Sequence, residues 1–219
     1  MKFFLDSAKI EEIRQAKELP FFAGVTTNPI LLEKAKITNR ERFYESVLSL
    51  IQKKELFVQV FSDDEDNAYK EGISLSGMAR DRIVVKIPAT NALLKAAVRL
   101  TEKGVRVCLT AISNIRQIAI SCTLGIEYCA VYLNRMIEQK KDIYHHIMQS
   151  DKMIENNGFR TRILVASLPK PSLIEPLLSL KNLDYTLPFL PFVNLSLTEE
   201  SAKWIRGFYE VTNKNSRKR

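Results

Sequence analysis

The chain has 219 residues, 46% hydrophobic and 26% charged, an ordinary balance for a globular protein and enough for one large domain or two small ones. Its three cysteines, Cys108, Cys122 and Cys129, are odd in number and form no CxxC, which argues against a disulfide framework or a zinc site and fits a reducing cytosol. The net charge of +8 is dispersed except in the tail at 214–219, no run of about 18 apolar residues could span a bilayer, and the apolar stretch before Asp6 is too short for a signal peptide, so neither nucleic acid nor membrane is expected as a partner.

Short apolar runs alternate with helical patterns along the whole chain. Residues 2–5 read as a first strand ending at Asp6, with Ser7 as cap of the helix behind it. Residues 23–27 form a second strand broken by Asn28-Pro29, followed by helices near 30–34 and 39–53. A third strand covers 56–61, and Ser62-Asp63-Asp64-Glu65 opens a helix to about 79. A fourth strand at 83–87 precedes a helix at 92–103, closed by Gly104. Strands at 105–109, 128–133 and 162–166 are followed by helical patterns at 114–124, 137–156 and 172–180. The eighth strand, 185–187, stops at Pro188, and a last helix spans about 198–211, leaving a basic tail at 212–219.

Eight strands, each followed by helix, predict parallel βαβ units. We therefore expect a single α/β domain over 1–219, a (β/α)8 TIM barrel with an additional C-terminal helix; an open doubly wound sheet is the alternative. No GxGxxG follows the first strand and no P-loop occurs, so no dinucleotide or nucleotide cofactor is implied. Seven glycines are few for so many turns, so Asn, Ser or Pro must serve in several loops.

Lys86 lies inside the β-branched run Ile83-Val84-Val85-Lys86-Ile87. Burial favours the neutral form of an amine, and a neutral amine can add to a ketone and form a Schiff base. Alternatively, Lys86 could snorkel or pair with a carboxylate. In a barrel the C-terminal strand ends carry the chemistry. Asp6, Thr26, Asn28, Gln59, Lys86, Thr110, Tyr132, Arg135 and Ser167 all fall on that predicted rim. Gln59, Thr110 and Tyr132 could hold a water for proton transfer, and Arg135 with Ser167 suits a phosphate. Taken singly, each has a plain reading as a polar gap-filler or a surface ion pair. His145 and His146, adjacent on a helical stretch, do not share a face, so they make no metal site.

Five blocks stand in an order that resembles the transaldolase family: Phe4-Leu5-Asp6-Ser7-Ala8, Gly24-Val25-Thr26-Thr27-Asn28-Pro29, Val84-Val85-Lys86-Ile87-Pro88, Tyr132-Leu133-Asn134-Arg135 and Ala166-Ser167. Within it, the chain is similar to the short bacterial branch that includes the fructose-6-phosphate aldolases. The resemblance implies a class I aldolase with Lys86 as the Schiff-base lysine, Asp6 and Asn28 orienting lysine and substrate, and no metal or other cofactor. It implies Gln59, Thr110 and Tyr132 around a catalytic water, the combination of the aldolase branch; transaldolases place Glu and Phe at the positions of Gln59 and Tyr132. It also implies a sugar-phosphate substrate, cytoplasmic location and a homo-oligomer, pentamer or decamer, held by the C-terminal helix with Trp204 and Phe208; that helix could instead pack on its own barrel. The chain departs from the family after Ser167, where Pro169 replaces a basic residue and Lys170 is the candidate substitute. It departs again at Thr90-Asn91-Ala92-Leu93, which lacks a glycine, and at Pro188 and Pro191. The expected reaction is reversible cleavage of fructose 6-phosphate, or a related ketose phosphate, to dihydroxyacetone and glyceraldehyde 3-phosphate. The alternatives are a transaldolase moving dihydroxyacetone between sugar phosphates and a non-catalytic phosphosugar-binding barrel.

Overall fold

Successive side chains on a strand point to opposite faces, and this alternation decides what fills the barrel and what meets the helices. The computed structural model describes residues 1–216. Its eight parallel strands close into a barrel in chain order: β1 (Phe3–Asp6), β2 (Phe22–Thr26), β3 (Glu55–Gln59), β4 (Ile83–Pro88), β5 (Val107–Ile112), β6 (Tyr128–Tyr132), β7 (Arg162–Ala166) and β8 (Leu183–Leu187). This is the expected TIM barrel. The helices are α1 (Ile10–Ala16), α2 (Pro29–Lys34), α3 (Arg40–Ile51), α4 (Glu65–Met78), α5 (Asn91–Glu102), α6 (Ile115–Thr123), α7 (Leu133–Glu138), α8 (Ile143–Asn157), α9 (Phe189–Val193) and α10 (Glu199–Ser216).

Leu56, Val58, Ile83, Val85, Ile87, Ile163 and Val165 face outward into the large core shared with the helices. Their neighbours in sequence face inward and form three layers. The middle layer is apolar, with Phe4, Phe57, Val84, Cys108, Ala130 and Leu164 buried together. The Phe57 ring lies 5.0 Å from both Phe4 and Tyr128. Two residues towards the strand N-termini lies a charged layer. Lys2 Nζ meets Glu55 at 2.8 Å, Arg106 bridges Glu55 and Glu127, and Arg162 holds the fully buried Asp184. These ion pairs tie neighbouring strands together at the end of the barrel opposite the C-terminal strand ends. Two residues towards the C-termini lies the layer of Asp6, Gln59, Lys86, Thr110 and Tyr132, while Thr186 of β8 pairs in register with Phe4.

Polar caps start most helices that follow a strand end, as the scarcity of glycine requires. Asn28, Asp64, Thr90 and Asn114 accept from backbone N–H groups of α2, α4, α5 and α6. Ser7 does not cap α1: its hydroxyl accepts from Lys9 N at 3.1 Å and donates to Glu12, and the helix begins at Ile10 with no side-chain cap. The pattern at 137–156 is two helices, α7 and α8, because the chain turns at Lys140 (φ 56°) and Asp142 caps a new start. The segment expected to be helical at 172–180 is a 3₁₀ turn, Pro171–Leu177, with Pro176 inside it. α10, expected to end near 211, runs to Ser216; residues 217–219 of the basic tail lie outside the described residues. Trp204 and Phe208 on α10 are 63% and 70% exposed. Among the described residues no helix is long and apolar enough to cross a membrane.

Candidate functional site

The inward-facing residues one layer above the apolar plug open into a cavity of about 330 Å³ at the C-terminal end of the barrel. Asp6, Thr26, Asn28, Gln59, Lys86, Tyr132, Arg135 and Ser167 all line it. Eight of the ten residues singled out in the sequence therefore converge on one space. Thr110 is 1% exposed and meets the cavity through Tyr132, whose hydroxyl is 3.4 Å from its own. Lys170 is exposed at the start of the 3₁₀ turn and is not among the lining residues.

Lys86 is 4% exposed. Its strand is hydrogen-bonded to β3 and β5, with Cα partners Gln59 and Cys108, so its backbone cannot shift without breaking ladders on both sides. Its Nζ donates to the Thr27 carbonyl at 2.8 Å. Thr27 is itself fixed, its N–H and hydroxyl both donating to the Phe57 carbonyl at 3.0 and 2.9 Å. The amine is thus held at one orientation at the cavity floor. Lys86 enters no ion pair within 4 Å among the described residues, although its charge acts on the Asp6 carboxyl.

Asp6 ends β1 and accepts from Thr26 Oγ1 at 2.7 Å. Burial raises its carboxyl above the usual range; the Lys86 charge and the Thr26 hydrogen bond act the other way without cancelling that. A recessed carboxyl beside an amine is placed to exchange protons with a molecule bound in the cavity. Asn28 uses its side-chain oxygen to accept from Leu31 N at 3.0 Å, which leaves its amide N–H₂ as the group it can offer the cavity.

Two backbone distortions shape the rim. Ala111, at φ 60°, lies in a register shift of β5 between Leu109 and Ile112, and its side chain lines the cavity. Bulges of this kind re-aim side chains beside functional sites. Ser167 sits at φ 61°, a conformation that costs a non-glycine residue about 1 kcal/mol or more. The Asn134 N–H donates to its carbonyl at 3.2 Å and ties it to the start of α7. Arg135, on that helix, lies with its guanidinium carbon 5.0 Å from the Tyr132 ring centroid and enters no ion pair within 4 Å among the described residues.

Thr186 is a cavity residue that the sequence pattern does not reveal. It lines the cavity from β8, is 2% exposed, and its hydroxyl lies 2.6 Å from that of Thr26. The signal that could have found it was a hydroxyl residue at an inward position of the eighth strand; a strand read as three residues long left its parity open. The carbonyl of Thr27 was equally unreadable, since a backbone acceptor leaves no trace in side-chain identity.

The profile of the Transaldolase/Fructose-6-phosphate aldolase family matches residues 3–203. The chain is similar to proteins named "Probable transaldolase": one from Sulfurihydrogenibium sp. is 32% identical over 174 residues, covering 78% of each chain. One from Flavobacterium psychrophilum is 31% identical over 171 residues, covering 77% of this chain and 78% of its own. Among solved structures, a flavocytochrome b2 with benzoylformate has a TM-score of 0.62 at 9% identity, covering 90% of this chain and 59% of that one, and another with sulfite has 0.61 at 7%, covering 89% and 58%. The chain thus spans under two thirds of those flavocytochromes, and at such identities the likeness shows the barrel fold alone.

Proposed function

The chain belongs to the transaldolase/fructose-6-phosphate aldolase family, and from that premise we propose that it is a Schiff-base aldolase that reversibly cleaves fructose 6-phosphate, or a related ketose phosphate, into dihydroxyacetone and glyceraldehyde 3-phosphate. The observation that carries this reading is the recessed Lys86 amine, fixed on the Thr27 carbonyl at the floor of a polar cavity and flanked by Asp6. Nζ adds to the C2 ketone, and loss of water leaves an iminium. Asp6 takes the proton of the C4 hydroxyl as the C3–C4 bond breaks; the electron pair moves into an enamine and the aldose phosphate leaves. The enamine is protonated at C3. Water then adds to the iminium, and dihydroxyacetone departs as Lys86 is regenerated.

The Thr110–Tyr132 hydroxyl pair and Gln59 are suited to hold the water that enters and leaves, because a phenol can both give and accept a proton. Arg135 is an available fork for the phosphate, with Ser167 also lining the cavity; Lys170 is the further candidate contact. The same reading implies a cytoplasmic homo-oligomer, a pentamer or decamer, in which the exposed apolar side chains of α10 cover a neighbouring barrel.

A second reading, transfer of dihydroxyacetone to an aldose phosphate acceptor, is favoured by the name its relatives carry. Product analysis separates the two. Incubation with fructose 6-phosphate alone should release free dihydroxyacetone with turnover, and Tyr132→Phe should suppress that release more than it suppresses transfer to erythrose 4-phosphate. Turnover only in the presence of the acceptor would establish the transaldolase reading instead.

A further inference from the structure

Oxygens from three strands, β1, β2 and β8, are joined in succession at the cavity that Lys86 also lines. Thr26 Oγ1 is 2.7 Å from Asp6 Oδ1 and 2.6 Å from Thr186 Oγ1. Thr26 and Thr186 are 1% and 2% exposed, so bulk water does not compete for these bonds. A threonine hydroxyl has one proton. Where Thr26 gives its proton to Asp6, its oxygen can only accept from the third member, and Thr186 must be the donor.

We propose that Thr186 is a positioning residue for the Asp6 carboxylate, acting through Thr26. Both hydroxyl protons point towards Asp6 while it is ionised, and the chain of bonds reverses, Asp6 to Thr26 to Thr186, when Asp6 takes a proton. This rests on the reading above only in giving Asp6 a proton to handle. Its chemical effect is direct: a donor chain onto a carboxylate favours the ionised form, and the second donor polarises the first. Burial pushes Asp6 the other way, so the two hydroxyls keep a buried carboxylate available as a base. Thr186 does this from β8, whose other inward residue, Asp184, belongs to the ion network at the far end of the barrel.

The charged groups around Asp6 are Lys86 from β4, whose charge acts on it directly, and Arg135 from α7 across the cavity. On its other side, Lys9 and Glu12 at the start of α1 and Lys34 of α2 share a second cavity with Asp6. None of these is altered by substitution at Thr186, so any change in Asp6 titration isolates the hydroxyl.

The test is the titration of Asp6 in the free full-length protein, followed by ¹³C NMR of labelled aspartate carboxyls and assigned by loss of the signal in Asp6→Asn. Thr186→Val keeps the shape and removes the donor; its Asp6 midpoint should rise by about half to one pH unit. Thr186→Ser should stay within about 0.2 pH unit of wild type. With fructose 6-phosphate as substrate, the acidic limb of kcat should move up by the same amount while KM changes less than about twofold. An unchanged midpoint in Thr186→Val, or equal shifts in Val and Ser, would overturn the proposal and leave Thr186 as packing. Should Thr186→Val fail to fold, the hydroxyl protons of wild-type Thr26 and Thr186 carry the test. Both must shift through the Asp6 midpoint, and a Thr186 hydroxyl indifferent to pH overturns it. A protein inactive on every ketose phosphate would refute the aldolase reading and still leave the titration readable.

Discussion

Glu71, on α4, holds the loop that follows Gln59. Its carboxylate accepts from the Phe61 N–H at 3.0 Å, from the Ser62 N–H and hydroxyl at 3.1 and 2.9 Å, and from Arg40 Nη1 at 2.8 Å. The Arg40 guanidinium in turn lies 3.9 Å over the Phe61 ring. Glu71→Gln preserves volume but turns one of the two acceptor oxygens into a donor that faces other donors. A hydrogen bond to a charged group contributes about 1.5–3 kcal/mol. The Glu71 side chain is 15% exposed, so water reaches some of the orphaned N–H groups, and the expected net loss is about 2 kcal/mol at neutral pH. Burial raises the Glu71 carboxyl, but hydrogen bonds from Ser62, Arg40 and Phe61 outweigh it and leave it below its usual value of 4.5. Its contribution is therefore present above that value and lost as pH falls through the depressed one. Urea unfolding of wild type and Glu71→Gln across pH 7 to the acid limit should show the stability gap narrowing once wild-type Glu71 protonates. A gap that is constant with pH, or absent at pH 7, would refute the reasoning.

Three further outcomes follow from single residues. Gly24 sits at φ 152° where β2 bulges past β1, and an added Cβ would lie 2.1 Å from the Glu55 carbonyl oxygen; Gly24→Ala should cost roughly 3 kcal/mol or more, read as lost soluble yield or a lower melting temperature, and a variant of wild-type stability would contradict this geometry. Ser167→Gly should relieve the φ of 61° and stabilise the fold by up to about 1 kcal/mol while weakening substrate binding; thermal melts and KM check the two effects, and a marked loss of stability would show that the hydroxyl matters more than the strain. Burial pushes the Cys108 thiol up to about 12, Cys129 well above its usual range and Cys122 upward, so no thiol should react with iodoacetamide until the protein is unfolded; rapid native labelling of Cys108 would mean that the apolar layer beneath Lys86 opens.

The alternation of strands and helices was legible because each apolar run carries its own period and punctuation. What was lost lay where backbone geometry overrode composition. Val105 looked like the start of a strand, yet its N–H bonds to the Leu100 carbonyl while Gly104 bonds to Thr101, so it closes α5 and β5 begins at Val107. α7 ends in a similar turn made by Lys140 rather than glycine, with the Lys141 N–H on the Met136 carbonyl, and nothing in the residue types announced a stop. Phe189–Val193 is hidden in the sequence by Pro188 before it and Pro191 within it, yet the two prolines frame a short helix that buries Phe192 against Phe21 and Phe22. Of the site, Asp6, Gln59, Lys86 and Tyr132 could be read because each is a polar residue within or ending an apolar run. Thr186 needed the register of β8, and the grip of Thr27 on Lys86 needed the position of a backbone carbonyl, which residue types do not announce.

The most direct test of the central claim is borohydride reduction of the protein in the presence of dihydroxyacetone or fructose 6-phosphate, followed by intact mass and peptide mapping. The account predicts one covalent adduct per chain, carried on Lys86 and absent in Lys86→Ala. A folded protein that gives no adduct with either ketone, or one that carries it on another lysine, would contradict the assignment of Lys86 as the amine that forms the Schiff base.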